Sequence, residues 1–168
     1  MIRRYLGLPK VTPERVLALA RDLTKNAATP YDRALAIETY LRKFPYTLDV
    51  EPPPSNRDVV DYFLFTSQMG YCDYYASAMV VMARAAGLPA RIVVGYASGE
   101  YDASTAQYII RMKDAHTWAE IYFPGIGWVE FEPTASQPLI LRLSGEGDSK
   151  LNSSQVSGNS VVNWLKMQ

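Results

Sequence analysis

Cys72 and His116 are the only cysteine and the only histidine in a chain of 168 residues. A thiol and an imidazole in one cleft make a nucleophile and its base. The imidazole takes the thiol proton and later returns it to a leaving group. Cys72 begins an Ala- and Met-rich segment with no internal Gly or Pro, which reads as a helix to Ala86. Gly87 is its stop and Pro89 lies just beyond. Cys72 therefore sits at a helix N-terminus, where positive potential favours thiolate. The bland alternative is a buried cysteine acting as a small hydrophobe. Gly70-Tyr71 argues against it by providing a tight turn that exposes the thiol.

A third group is needed to orient the imidazole. His116 opens an alternating segment to Phe123, with His116, Trp118, Glu120 and Tyr122 on one face. Pro124-Gly125-Ile126-Gly127 turns the chain, and Trp128 to Glu132 returns. A three-residue turn sets Glu132 opposite Trp118 and diagonal to His116, within reach of a long side chain. A turn of two or four residues moves it to the other face. Glu130 has the same parity and is the rival. Gln68 and the Cys72 backbone N–H are candidate donors to an oxyanion. Tyr71, Trp118 and Trp128 are candidate substrate-binding residues, the two tryptophans as cleft walls.

The elements that must hold these groups follow from local signals. Thr12-Pro13 and Thr29-Pro30 each read as a helix cap followed by proline at the first helical position. Val16, Leu17, Ala20 and Leu23 form the first apolar stripe; Ala34, Ile37, Tyr40 and Leu41 form the second. Both helices read as a structural cover for the core. Tyr46 to Val50 reads as extended, and Pro52-Pro53-Pro54 forbids helix. Ser55 is the expected cap of a short helix through Val59, Val60, Phe63 and Leu64. Arg91 to Ala97 and Tyr108 to Met112 read as strands, with a turn at Ser98 to Asp102. A helical half followed by an antiparallel meander makes the fold class α+β. The domain is expected over residues 1–134. The Ser-, Gly- and Asn-rich stretch 135–168 reads as a flexible tail or linker, with an apolar patch at Val161 to Leu165.

Composition narrows the classes. Lys+Arg and Asp+Glu balance at 17 each, and no basic stripe suggests nucleic acid. One Cys and one His fall short of the usual zinc ligand set, so neither metal nor cofactor is expected. Gly70 and Gly87 match no phosphate-binding loop. Arg84 and Arg91 read as structural ion-pair partners. The start shows no signal-peptide core, and no run nears the roughly 20 apolar residues of a membrane span.

Four segments together carry a family resemblance. Gly70-Tyr71-Cys72-Asp73-Tyr74-Tyr75-Ala76-Ser77-Ala78-Met79 resembles the nucleophile motif of bacterial transglutaminase-like domains. Arg84 to Arg91 and Val94-Gly95-Tyr96 are similar to the run that follows it. Asp114-Ala115-His116-Thr117-Trp118-Ala119-Glu120 resembles the histidine motif, and Gly127 to Thr134 the closing carboxylate motif. Their order and spacing match over Thr29 to Thr134. The resemblance implies a papain-like fold and a triad of Cys72, His116 and Glu132, where Glu132 replaces the family's usual Asp. It implies acyl transfer from peptide or glutamine side-chain amides, leaning to hydrolysis over transamidation. It also implies a protein or peptide substrate and no cofactor. Such domains resemble extracytoplasmic parts of bacterial membrane proteins, so any membrane contact would run through flanking segments. The alternative is a non-catalytic peptide-binding or structural module, which the Glu132 departure favours.

Overall fold

The computed structural model describes residues 2–142. The expected apolar patch at Val161 to Leu165 lies outside them. Four helices, α1 (Glu14–Thr24), α2 (Pro30–Leu41), α3 (Val59–Tyr62) and α4 (Cys72–Ala85), precede five strands. These are β1 (Ala90–Tyr96), β2 (Glu100–Asp102), β3 (Gln107–Ile109), β4 (Ala115–Phe123) and β5 (Gly127–Phe131). The fold is α+β.

The central element is α4. Its buried face carries Tyr75, Met79, Met82 and Ala83. Its end is a Schellman motif: Leu88 N–H donates to the Ala83 carbonyl, and Gly87 N–H to that of Arg84. Gly87 takes φ +80°, which a side chain would oppose. The helix packs on β4 through Ala119 and Ile121, both fully buried. α2 opens as its sequence indicates, with a capping box. Thr29 Oγ1 accepts the Asp32 N–H at 3.1 Å, and the Asp32 carboxylate accepts the Thr29 N–H at 3.0 Å.

Two expected caps are displaced. Thr12 does not cap α1; its hydroxyl donates to the Pro9 carbonyl at 2.8 Å, and Pro13 is the N-cap. Ser55 does not cap α3 either. Asp58 does, accepting the Asp61 N–H at 2.9 Å. Buried Asp61 is held by Arg15, whose guanidinium keeps its carboxyl below the usual range. A single π-helical turn, Phe63–Ser67, then ends at Gln68 in the left-handed region.

The main sheet is antiparallel in the order β1-β4-β5. β2 and β3 form a separate hairpin that interrupts the expected meander. The expected turn at Ser98 to Asp102 holds only at its start, where Gly99 takes φ +68°. Glu100 to Asp102 are extended because Tyr101 pairs with Tyr108, ring centroids 5.1 Å apart. The chain reverses one step later, where Asp102 accepts the Ser104 N–H. The third strand stops at Ile109, and Met112–Asp114 form a 3-10 turn leading into β4.

The β4–β5 turn has three residues, since Phe123 faces Gly127 and Ala119 faces Phe131. Extending that register by one step sets Trp118 against Glu132. From Ala135 to Arg142 the chain stays attached to the body. Arg42 donates to the Gln137 carbonyl, and the Arg142 guanidinium lies 4.4 Å from the Phe131 ring centroid.

Candidate active site

Cys72 is the first residue of α4, His116 the second of β4, and Glu132 follows β5 directly. The fold brings His116 and Glu132 together: the His116 Nε2–H donates to Glu132 Oε2 at 2.5 Å. Both are buried, His116 8% and Glu132 6% exposed. The other carboxylate oxygen, Oε1, accepts the Thr134 N–H at 2.9 Å. Both oxygens are thus occupied, and the imidazole is fixed in orientation.

Cys72 is half-buried and free. Hydrogen bonding to His116 is the main influence lowering its thiol pKa, and the Thr117 backbone N–H adds to it. Burial and the neighbouring Asp73 charge oppose the shift. On the other side, Cys72 first and Glu132 second raise the His116 pKa from 6.5 to about 9. The two shifts have one physical cause: a thiolate beside an imidazolium is more stable than a thiol beside an imidazole.

Further side chains support the pair. The Thr117 hydroxyl donates to Asp73 Oδ1 at 2.6 Å, tying the first turn of α4 to β4. Trp118 stacks on His116, ring centroids 6.0 Å apart and planes within 17°. The Trp118 ring in turn lies over Gly95, where a Cβ would come within 2.9 Å of it. Trp118, two residues along the same strand, therefore buttresses the His116 ring.

The remaining expected residues are less closely drawn in. Tyr71 is the N-cap of α4, next to Cys72, with its ring edge-on to Tyr74. Gln68 lies four residues before Cys72 and is exposed. Its amide reaches back weakly to the Leu64 carbonyl, 3.4 Å away. Trp128 is not brought to the site. It pairs with Tyr122, six strand residues or roughly 20 Å from His116. There it packs edge-on to Tyr5 and beneath the Arg91 guanidinium. Arg91 forms its expected ion pair, with Glu120 at 2.6 Å. Arg84 instead donates to the Ala90 and Gly7 carbonyls. Glu130, the rival carboxylate, is exposed and faces Glu120 across the ladder.

Sequence reasoning missed several neighbours. Tyr46 is brought close by a bridge to Gly70, and the Cys72 and Asp73 charges add to the burial that raises its pKa. On α2, Glu38 Oε1 accepts the Glu132 N–H at 2.8 Å, and Arg42 donates to the Glu132 carbonyl at 2.8 Å. A signal existed for Glu38. It falls inside the apolar stripe Ala34, Ile37, Leu41, where a carboxylate needs a buried partner.

A helix headed by Cys72, a strand carrying His116 and a following Glu132 stand in this order within residues 17–133, which match the model of the transglutaminase-like superfamily. The chain belongs to that superfamily. It is 37% identical over 131 residues to a protein-glutamine gamma-glutamyltransferase of Pseudomonas aeruginosa, covering 78% of this chain and 20% of that protein. It is 46% identical over 138 residues to YebA of Bacillus subtilis, covering 78% of this chain and 19% of that one. The solved periplasmic domain of TgpA from Pseudomonas aeruginosa superposes with a TM-score of 0.69 at 38% identity. That match covers 79% of this chain and 46% of that domain. The chain thus spans about a fifth of the curated relatives it matches.

The site makes Asp a poor substitute for Glu132. Its backbone is tied to α2 on both sides, so a side chain shorter by about 1.5 Å cannot be offset by moving the chain. Glu132→Asp is expected to lower kcat/KM about 10- to 100-fold on an amide substrate while the fold persists. Steady-state rates and a melting curve check it. An Asp variant as active as the native chain would show that the clamp yields.

Proposed function

We propose that this domain transfers the acyl group of a glutamine side-chain amide to an amine, through a thioester on Cys72. The observation that carries the reading is the buried His116–Glu132 hydrogen bond at 2.5 Å, and the directions in which Cys72 and His116 shift each other support it. The Cys72 thiolate attacks the amide carbon. The oxyanion so formed lies near the α4 N-terminus, where the Cys72 N–H and the Gln68 amide are the proposed donors. The His116 imidazolium gives its proton to the leaving nitrogen, and ammonia departs. Neutral His116 then takes a proton from the incoming amine, which attacks the thioester and releases the thiolate. Water in place of the amine gives hydrolysis by the same steps. The similarity to the gamma-glutamyltransferase favours an amine over the hydrolysis that the sequence leans to. Tyr71 borders the nucleophile and is the proposed substrate contact.

We further propose an extracytoplasmic setting, supported by the similarity to a periplasmic domain. Among the described residues, no helix is long and apolar enough to cross a membrane.

The test is incubation with a glutamine-bearing peptide and a fluorescent alkylamine, reading ammonia release and peptide mass. Amine incorporation supports transamidation. Conversion of Gln to Glu alone supports hydrolysis. Neither product, at peptide levels that bind, overturns the enzymatic reading in favour of a binding module.

The pH dependence of kcat/KM should be bell-shaped. The acid limb follows formation of the Cys72 thiolate, below the ordinary thiol range. The alkaline limb follows loss of the His116 proton, near pH 9. A rate that keeps rising through pH 9 would contradict the imidazolium donor.

A further inference from the structure

Glu132 is held from behind by Glu38 and Arg42, and Glu38 in turn by Arg142. Glu38 is 3% exposed, and its Oε1 accepts the Glu132 N–H at 2.8 Å. Its second oxygen, Oε2, accepts from Arg142 Nη1 at 3.1 Å, and Arg142 Nη2 donates to the Glu130 carbonyl at 2.7 Å. One turn along α2, Arg42 Nη1 donates to the carbonyls of Glu132 and Thr134, both at 2.8 Å. Its Nη2 donates to the Gln137 carbonyl at 2.7 Å. Two side chains at i and i+4 of one helix thus take both backbone polar groups of the carboxylate residue.

That geometry has a chemical consequence. A carboxylate 2.5 Å from an imidazole loses most of its effect if it drifts by about 1 Å. Glu has one more rotatable bond than Asp, so its reach is less determined by its own side chain. Fixing its backbone at both sides, and its Oε1 on the Thr134 N–H, removes that freedom. A carboxylate buried on the apolar face of a helix is unfavourable unless it is paired. Here its partners are the Glu132 amide and Arg142, so its position is explained by what it holds.

We propose that Glu38 and Arg42 are positioning residues of the active site, which act through Glu132 to hold the Cys72–His116 pair in its charged form. This rests on the reading of Cys72, His116 and Glu132 as the catalytic set. Arg142 completes the arrangement by neutralising Glu38.

The test reads the thiolate directly, as the rate of Cys72 alkylation by iodoacetamide across pH, with folding followed by near-UV circular dichroism. Glu38→Leu is expected to label about tenfold more slowly than the native chain near pH 6. Glu38→Gln keeps the acceptor oxygen and should stay within about threefold. In a Glu132→Ala background, Glu38→Leu should cause no further loss, because the effect passes through the missing carboxylate. Folded Glu38→Leu with a native profile overturns the proposal. So does a loss that persists without the Glu132 carboxylate, which marks a purely structural role. Should Glu38→Leu not fold, Arg42→Lys carries the test, since a single ammonium nitrogen replaces the two nitrogens of a rigid guanidinium fork. It should show the same slowing, and native labelling in a folded Arg42→Lys overturns the proposal. If the native chain itself lacks acid-side labelling, the catalytic reading falls and takes the clamp with it. If only the variants are unaffected, the clamp alone falls.

Discussion

Cys72→Ala is expected to abolish turnover, lowering kcat on an amide substrate by about 10⁴-fold or more, with the fold intact. The size follows from the role. Among the described residues, Cys72 is the only thiol. On the proposed thioester route, no neighbour can replace the bond that Cys72 would form with the acyl carbon. The small effect on stability follows from its setting. Cys72 is half-exposed at the first position of α4, and the helix is held by Tyr75, Met79 and Met82 deeper in the core. Alanine is a good helix former, so the first turn is not weakened. Residual turnover in Cys72→Ala above about a thousandth of the native rate would exclude a thioester route. The measurement is steady-state ammonia release, paired with a thermal melt near the native midpoint.

His116→Ala should remove activity to a similar degree and, unlike Cys72→Ala, lower stability. Glu132 is then left buried with the Thr134 N–H and no partner for Oε2. Breaking a buried charged pair on one side costs about 3 kcal/mol or more. The shift of the His116 pKa from 6.5 to about 9, to which Cys72 contributes first and Glu132 second, corresponds to about 3 kcal/mol for the two partners together. The sign with pH follows from the direction of that shift. A group whose pKa is raised on folding contributes fully below its unfolded value. The His116 contribution is therefore complete below about pH 6.5 and is lost as pH rises through about 9. The melting-point gap between native and His116→Ala should be roughly 10 °C near pH 6 and close up above pH 9. A gap that is absent near pH 6 would mean that the His116–Glu132 contact is not formed in solution.

The contrast between these two variants shows which parts of the site were legible in the sequence. Cys72 and His116 stand out because each is unique in its type, and each opens an element whose period is clear. Glu132 depended on a single count, the three residues of the β4–β5 turn, and the register bears out that geometry. The sequence also offers Trp118 and Trp128 together as cleft walls. It could not say how far along the sheet they lie, and Trp128 ends beneath Arg91, well away from His116. The helix caps show a similar boundary. Thr29 caps α2 because Asp32 is there to reciprocate. Thr12 has Pro9 behind it, and its hydroxyl turns back to that carbonyl.

Glu38 and Arg42 mark the limit more sharply. Their partners at Glu132 are backbone atoms 90 or more residues away in sequence, and backbone atoms have no sequence signature. The same holds for the π-helical turn that leaves Gln68 at φ 49° just ahead of the nucleophile. Long-range pairing to main chain is what turns a recognisable motif into a site with defined distances. It becomes visible only in the fold.

The central claim is that Cys72 rests as a thiolate held by His116, and its alkylation by iodoacetamide measures this most directly. The single cysteine makes intact mass an unambiguous readout across about pH 5 to 9. Fast labelling well below the ordinary thiol range near pH 8.5, collapsing in folded His116→Ala, is the expected result. Labelling that rises only through that ordinary range, and is unchanged without His116, would contradict it.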